Sequence, residues 1–316
     1  MKRRNFIGLL GLAAVCRVDA GEEGGVVRVS RSLMGTTFTV LCHAEDRAAA
    51  GGAVDEAFGV AEGINEVASD YIADSELLGL TRHGVGEAVA VSERLFGLLW
   101  EARGFAEKTE GRFDPTFGPL TRLWRESRRR GVLPEGEVLE KAKQACGWRH
   151  FTLDGEKRVA VFHREGMRLD LGGIAKGQAA DAMLAVLAGK GLRRVCITAG
   201  GDVRVGDAPP GREGWSIGVK TFDKGEAERV LVLANAAVST SGDLHQSIEI
   251  GGVRYSHIID PATGLGLVRR VAATVVAGNS TTSDALATAC CVSDPGVAEE
   301  MALKAGAREV FLGTGD

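Results

Sequence analysis

Residues 255–288 read YSHIIDPATGLGLVRRVAATVVAGNSTTSDALAT, and three pieces can be told apart in them. The first, YSHIIDPATG, offers His257 and Asp260 beside a Pro-Ala-Thr-Gly turn. The second, VRRVAATVVAG, has the β-branched content of a strand. The third, STTSDALAT, opens a helix, with Ser and Thr as N-cap candidates and good helix formers after them. Asp284 and Thr288 are four apart, so they share one helix face near its N-terminus. A carboxylate and a hydroxyl are hard oxygen ligands of the kind Mg²⁺ takes together with substrate phosphates. The positive end of the helix also favours a phosphate. Turn, strand and helix therefore suggest a metal–diphosphate site with a histidine delivered by a neighbouring turn. The same residues also fit a plain helix start, in which Asp284 complements the macrodipole and Thr288 packs, so the rest of the chain must decide.

The length of 316 residues allows one large domain or two lobes. A net charge of −4 gives no basic footprint for nucleic acid. Glycine, at 44 residues against 7 prolines, is used heavily and without a repeat, which suggests tight turns and close backbone approach to a ligand. The first twenty residues, MKRRNFIGLLGLAAVCRVDA, have a basic start, an apolar middle and a small-residue exit, the pattern of an export signal. Arg3-Arg4 resembles a twin-arginine signal, and cleavage is expected after Ala20. Cys16 raises a lipid anchor as the less favoured outcome, because Val15 is larger than such a site prefers. The remaining chain, 21–316, is read as a single domain of two lobes in the periplasm. Its five cysteines are odd in number and irregular in spacing, so buried thiols are expected rather than a disulfide framework or a zinc site.

Helical periodicity marks residues 47–68, where Val54, Ala57, Phe58, Ala61 and Ile64 form one stripe. Residues 26–41 read as a strand broken at Met34-Gly35-Thr36-Thr37. A short capped helix follows Ser75, and a longer one ends near Thr109. In GRFDPTFGPL, Pro115 pushes Asp114 out of helical geometry, so its carboxylate points into a cleft or caps the next helix. Arg128-Arg129-Arg130 reads as a solvated helix end. Residues 137–146 read as a helix, and 151–162 as a hairpin. LDLGGIAKGQAAD, at 169–181, reads as a short strand, a glycine turn and a helix. In that layout a phosphate meets backbone amides, Lys176 adds charge and the Ala175 carbonyl faces a cation. It is neither a Walker loop nor the dinucleotide fingerprint. Residues 238–243, VSTSGD, read as a polar turn, and Ser247–Ile250 with Val253–Ser256 as a hairpin that carries His257.

Eight segments in this order resemble the FAD:protein FMN transferase family: MGTTFTV, DYIADSEL, GRFDPTFGPL, LDLGGIAKGQAAD, TAGGDVRV, VSTSGD, YSHIIDPATG and TSDALAT. The resemblance implies a two-lobed α+β, T-fold-like architecture with FAD in a central cleft. It implies FAD contacts from Met34, Tyr71, Arg112, Phe113, Asp114, Gly172, Gln178 and, by its backbone, Ile258, with Lys176 steadying a phosphate. Asp284 and Thr288 match Mg²⁺ ligands, with the Ala175 carbonyl as a third. Gln178 stands where the family often has tyrosine, and Phe117 replaces a small aliphatic residue. The implied reaction is Mg²⁺-dependent transfer of FMN from FAD to a threonine or serine hydroxyl of an acceptor protein, with AMP released. His257 is the candidate base, because imidazole titrates near neutrality, and Asp284 ranks second. The acceptor would be another exported protein, such as a flavin-bearing redox subunit or domain. Two alternatives remain open at this point: a Mg²⁺-dependent FAD diphosphatase, and a periplasmic FAD-binding protein without chemistry.

Overall fold

The computed structural model describes residues 14–17, 25–219, 229–242 and 247–315. Most of the expected export signal, and Asp243 of the VSTSGD segment, lie outside the described residues. In chain order the elements are β1 (Ala14–Arg17), β2 (Val26–Leu33), β3 (Thr36–His43), α1 (Arg47–Ala68), α2 (Glu76–Gly79), β4 (Val89–Ala90), α3 (Glu93–Lys108), α4 (Gly118–Arg130) and α5 (Gly136–Gln144). There follow β5 (Phe151–Asp154), β6 (Val159–Phe162), α6 (Ala175–Gly189), β7 (Val195–Ala199), β8 (Asp202–Val205), β9 (Trp215–Val219), β10 (Arg229–Leu233) and β11 (Ala236–Gly242). The chain closes with β12 (Ser247–Ile250), β13 (Val253–Ser256), β14 (Arg270–Ala277), α7 (Ser280–Cys291), α8 (Pro295–Ala305) and β15 (Ala307–Gly315).

The frame is a seven-stranded sheet in the order β15-β14-β11-β8-β7-β3-β2, with every neighbouring pair antiparallel. Its largest core joins Phe38 and Val40 of the sheet to Phe58 of α1, Met183 of α6 and Leu286 of α7. On its other side Val203, Val205 and Val238 pack with Trp215, Ile217 and Val219 of a smaller sheet, β1-β9-β10. Alternating strand residues thus feed two cores, as a sheet covered on both faces requires. A third cluster ties α4 and α5 to the β12–β13 hairpin through Leu120, Trp124, Ile250, Tyr255 and Ile259. The mixed α+β architecture is the one the sequence implies. Ala14–Arg17, read from sequence as part of the leader, is paired along β9.

α1 spans the residues its periodicity marks, with Asp46 capping it by accepting from Ala48 N and Ala49 N. Residues 26–43 form a hairpin rather than one broken strand. The chain reverses at Met34 and Gly35 alone, both at positive φ (50° and 71°), while Thr36 and Thr37 begin β3. The piece before Gly172 is not a strand: its only ladder contact is an isolated bridge from Arg168 to Phe117. Residues 238–242 are not a turn either, because they continue β11 between β8 and β14. Their hydroxyls are satisfied across the structure, Ser239 Oγ with Ser283 Oγ at 2.7 Å and Thr240 Oγ1 with Thr274 Oγ1 at 2.8 Å. Hydroxyls paired in this way let a polar sequence lie in a buried sheet.

α6 and α7 cross closely, and Gly177 makes this possible. A Cβ built there would lie 2.4 Å from the Ser280 carbonyl oxygen. Gly177→Ala is expected to force the two helices apart and to cost about 1–3 kcal/mol by overpacking. A drop in the urea midpoint at unchanged m-value would show this; an unchanged midpoint would not fit the packing described.

The candidate active site in the central cleft

The N-terminus of α7 is fixed from two sides. Asn279 caps it by accepting from Thr282 N at 2.8 Å. The Asp181 carboxylate of α6 accepts from Ser280 N (3.0 Å), Thr281 N (2.8 Å) and Thr281 Oγ1 (2.7 Å), and it also holds Arg204 Nε at 2.7 Å. The helix starts at Ser280, so Asp284 sits in its second turn, one step deeper than the sequence suggests. Thr288 Oγ1 lies 3.2 Å from Ser241 Oγ at the end of β11.

Asp284, only 2% exposed, faces the start of α6. Its Oδ2 accepts from Gly177 N at 3.1 Å, and both its oxygens bind Lys176 Nζ, at 3.3 and 3.2 Å. The same ammonium lies 3.3 Å from Oδ2 of Asp202, the first residue of β8. Burial alone would lower the Lys176 pKa, but the two carboxylates outweigh burial and raise it, so the side chain is a fixed cation. Burial and the nearby Asp284 push Asp202 up to about 7, against Lys176 and a hydrogen bond from Ser239.

This has a consequence for stability. The folded value of Asp202 lies above its ordinary 3.8, so between about pH 4 and pH 7 the folded chain holds a proton that the unfolded chain has released. The contribution of this group to stability therefore falls as pH rises through that window. Asp202→Asn is expected to flatten the pH–stability curve there, which urea melts at about pH 5 and pH 8 would measure. An unchanged slope would rule out the shift.

These groups form part of a cleft of about 530 Å³, a size suited to a ligand with several rings. Of the candidate site residues, Met34, Tyr71, Arg112, Phe113, Asp114, Gly172, Lys176, His257, Ile258, Asp284 and Thr288 line this cleft. Met34 is presented at the hairpin tip in the left-handed region, a strained position for a non-glycine residue. His257 follows β13 on a turn that is held on both sides. Ser256 accepts from Trp124 Nε1 at 3.0 Å, and Leu267 bonds Ser256 N and Ile258 O at 2.8 Å each.

Other candidate residues have their polar groups engaged or lie away from the cleft. Gln178 does not reach the cleft: its amide donates to Leu98 O at 3.2 Å and to Glu101 Oε2 at 2.8 Å, both on α3. Ala175 is the first residue of α6 and is not among the lining residues, which pass from Gly173 to Lys176. The Ile258 N–H is already donated to Ser256 Oγ at 3.1 Å. Asp114 neither caps α4 nor keeps a free carboxylate. It accepts from Thr116 N, Thr116 Oγ1 and Trp148 N, and burial raises its pKa against those bonds. In the glycine turn Gly172 N donates to Asp170 Oδ1, and the Ile174 and Ala175 amides donate to Leu171 O.

Other residues were missed. Asp202, Asp170, Arg125, Arg128, Trp124 and Ser241 all line the cleft. Arg128, read as a solvated helix end, faces into it. Arg125 binds Asp70 and Asp170 (3.1 Å to the latter) and lies 4.2 Å over the Tyr71 ring, which fixes an otherwise exposed aromatic at the cleft wall. The one sequence signal for Asp202 was its place after Gly200-Gly201, where the chain turns from β7 into β8.

The five cysteines at 42, 146, 196, 290 and 291 are buried thiols, as expected, and Cys291 Sγ donates to Ser241 O at 3.3 Å. No helix among the described residues is long and apolar enough to cross a membrane. Nor, among them, do three or more His, Cys, Asp or Glu residues gather as a metal cluster, so a cation here would rely on two carboxylates and a hydroxyl.

The fold is α+β, an antiparallel sheet backed by helices, with a cleft lined by acid, hydroxyl and guanidinium groups. The chain belongs to the ApbE family, whose model matches residues 34–312. It is 33% identical to the FAD:protein FMN transferase of Treponema pallidum, over 90% of this chain and 84% of that protein. It is 31% identical to the same-named protein of Vibrio cholerae, over 92% of this chain and 87% of that one. The crystal structure of the ApbE protein of Thermotoga maritima superposes with a TM-score of 0.80 at 30% identity, covering 92% of this chain and 94% of that one. The flavin transferase ApbE of Vibrio cholerae superposes at 0.79 and 29% identity, covering 91% and 92%.

Proposed function

We propose that this protein transfers FMN from FAD to a threonine or serine hydroxyl of an acceptor protein, releasing AMP, in a Mg²⁺-dependent reaction. It is a transferase of the ApbE family, and its curated relatives are FAD:protein FMN transferases. The observation that carries the finer reading is the meeting of Asp284, Thr288, Lys176 and His257 in one cleft.

The donor set fits a hard divalent cation. Two buried carboxylates and a hydroxyl are oxygen ligands, and Asp202 Oδ2 accepts no hydrogen bond despite its burial. Asp284, Thr288 and Asp202 would hold Mg²⁺, which when bound neutralises charge on a diphosphate. The rest falls to the side chains of the cleft. Lys176, Arg112 and Arg128 supply the positive charge that orients the diphosphate. Met34, Phe113 and Tyr71 offer flat or pliable apolar surface to the isoalloxazine ring. His257 takes the proton from the acceptor hydroxyl as its oxygen attacks the phosphorus on the riboflavin side, and AMP leaves. If the first twenty residues direct export, the acceptor is an exported redox protein.

AMP release from FAD, followed by chromatography with Mg²⁺ and with or without acceptor, tests this reading. Transfer requires AMP to appear at a rate set by the acceptor. Equal release without acceptor would replace transfer by hydrolysis.

A further inference from the structure

The ammonium of Lys176 stands between the carboxylates of Asp202 and Asp284, 3.3 and 3.2 Å from their nearest oxygens. Both acids are almost fully buried, at 3% and 2% exposure. Two such carboxylates side by side repel strongly unless a cation lies between them. The bonding is uneven. Asp284 is tied by Lys176 and by Gly177 N; Asp202 takes a hydrogen bond from Ser239, but its Oδ2 has only the ion contact with Lys176. A buried carboxylate oxygen left without a hydrogen bond, aimed at a cation-bearing wall, has capacity for a further ligand. Lys176 has a flexible stem, sits in the first turn of α6, and exposes a quarter of its side chain at the cleft.

We propose that Lys176 is a tethered counter-ion of the Asp202–Asp284 pair that a divalent cation displaces on binding, with Asp202 the second acidic residue of that cation's site. The proposal rests on the metal-dependent reading above and deepens it. An ammonium and a divalent cation need the same carboxylate oxygens, so each weakens the other's hold. The folded chain keeps its buried acids charge-balanced by its own lysine, and the ion must compete for them. Once displaced, the ammonium remains at the cleft wall, where a diphosphate is the natural partner for it.

The test is calorimetric titration of Mg²⁺ alone into the full chain and its variants, with thermal unfolding as a second readout. Lys176→Met is expected to tighten Mg²⁺ binding at least about tenfold by removing the competitor, and to enlarge the Mg²⁺-induced rise in melting temperature. Asp202→Asn is expected to weaken binding about 10–100-fold. Should Lys176→Met fail to fold, adding it to Asp202→Asn gives the same comparison with one buried carboxylate fewer, and should recover about tenfold in affinity. Lys176→Arg, which keeps the charge, should not tighten binding. Unchanged or weaker binding when Lys176 is replaced by Met, in either background, overturns the displacement. Unchanged binding in Asp202→Asn overturns the assignment of Asp202. No Mg²⁺ binding by the wild-type chain overturns the metal-dependent reading itself and the proposal with it, a result distinct from the other two.

Discussion

Asp284→Ala is expected to lower FMN transfer by about 10³-fold or more while leaving the chain folded. The carboxylate is 2% exposed and does three things at once: it binds both the Lys176 ammonium and Gly177 N, and it presents hard oxygens beside Thr288. Removing one member of a buried pair commonly destabilises strongly, because its partner is left uncompensated. Here Lys176 keeps Asp202 at 3.3 Å, so the charge is not abandoned. The stability loss should therefore stay near about 1–3 kcal/mol, the cost of unmade hydrogen bonds. The loss in rate should far exceed what such destabilisation explains. Single-turnover AMP release at saturating FAD measures it, and the Mg²⁺-induced thermal shift should vanish in parallel. A variant with near-normal turnover would remove Asp284 from the chemistry.

His257→Ala should reduce kcat about 10²–10⁴-fold, the usual contribution of a positioned base, with KM for FAD little changed. The split follows from where the residue sits. The turn carrying it is fixed by Trp124 Nε1 on Ser256 O and by the Ser256–Leu267 and Ile258–Leu267 backbone bonds, none of which uses the imidazole. Deleting the ring should leave the turn and the apolar walls of the flavin site in place. A loss confined to KM would make His257 a binding residue and return the base role to another group.

Much of this architecture was legible because it is written in periodicity. α1 was read over residues 47–68 from its stripe of Val54, Ala57, Phe58, Ala61 and Ile64, all of which are buried. The β12–β13 hairpin was read from Gly251-Gly252, which both take positive φ. β11 was misread, because Ser239, Thr240 and Ser241 look like a turn by composition. Backbone pairing with β14 makes them a strand, and the facing hydroxyls of Ser283, Thr274 and Thr288, 34 to 47 residues away in sequence, satisfy their side chains there. The site shows the same division. The Asp284–Thr288 spacing fixes one helix face, so that pair could be read locally. Gln178 could not, because its place depends on α3 presenting Leu98 O and Glu101 beneath it. Asp202 and Lys176 are 26 positions apart, and their pairing follows from a crossover of α6 over the sheet that no local spacing encodes.

The central claim is transfer to protein, and intact-mass spectrometry addresses it directly. An acceptor protein with an exposed threonine is incubated with this protein, FAD and Mg²⁺, beside an Asp284→Ala control. The account predicts one FMN added through a phosphoester to a threonine or serine, AMP in equal amount, and neither product in the control. FAD left intact, or split to free FMN and AMP with the acceptor mass unchanged, would contradict it.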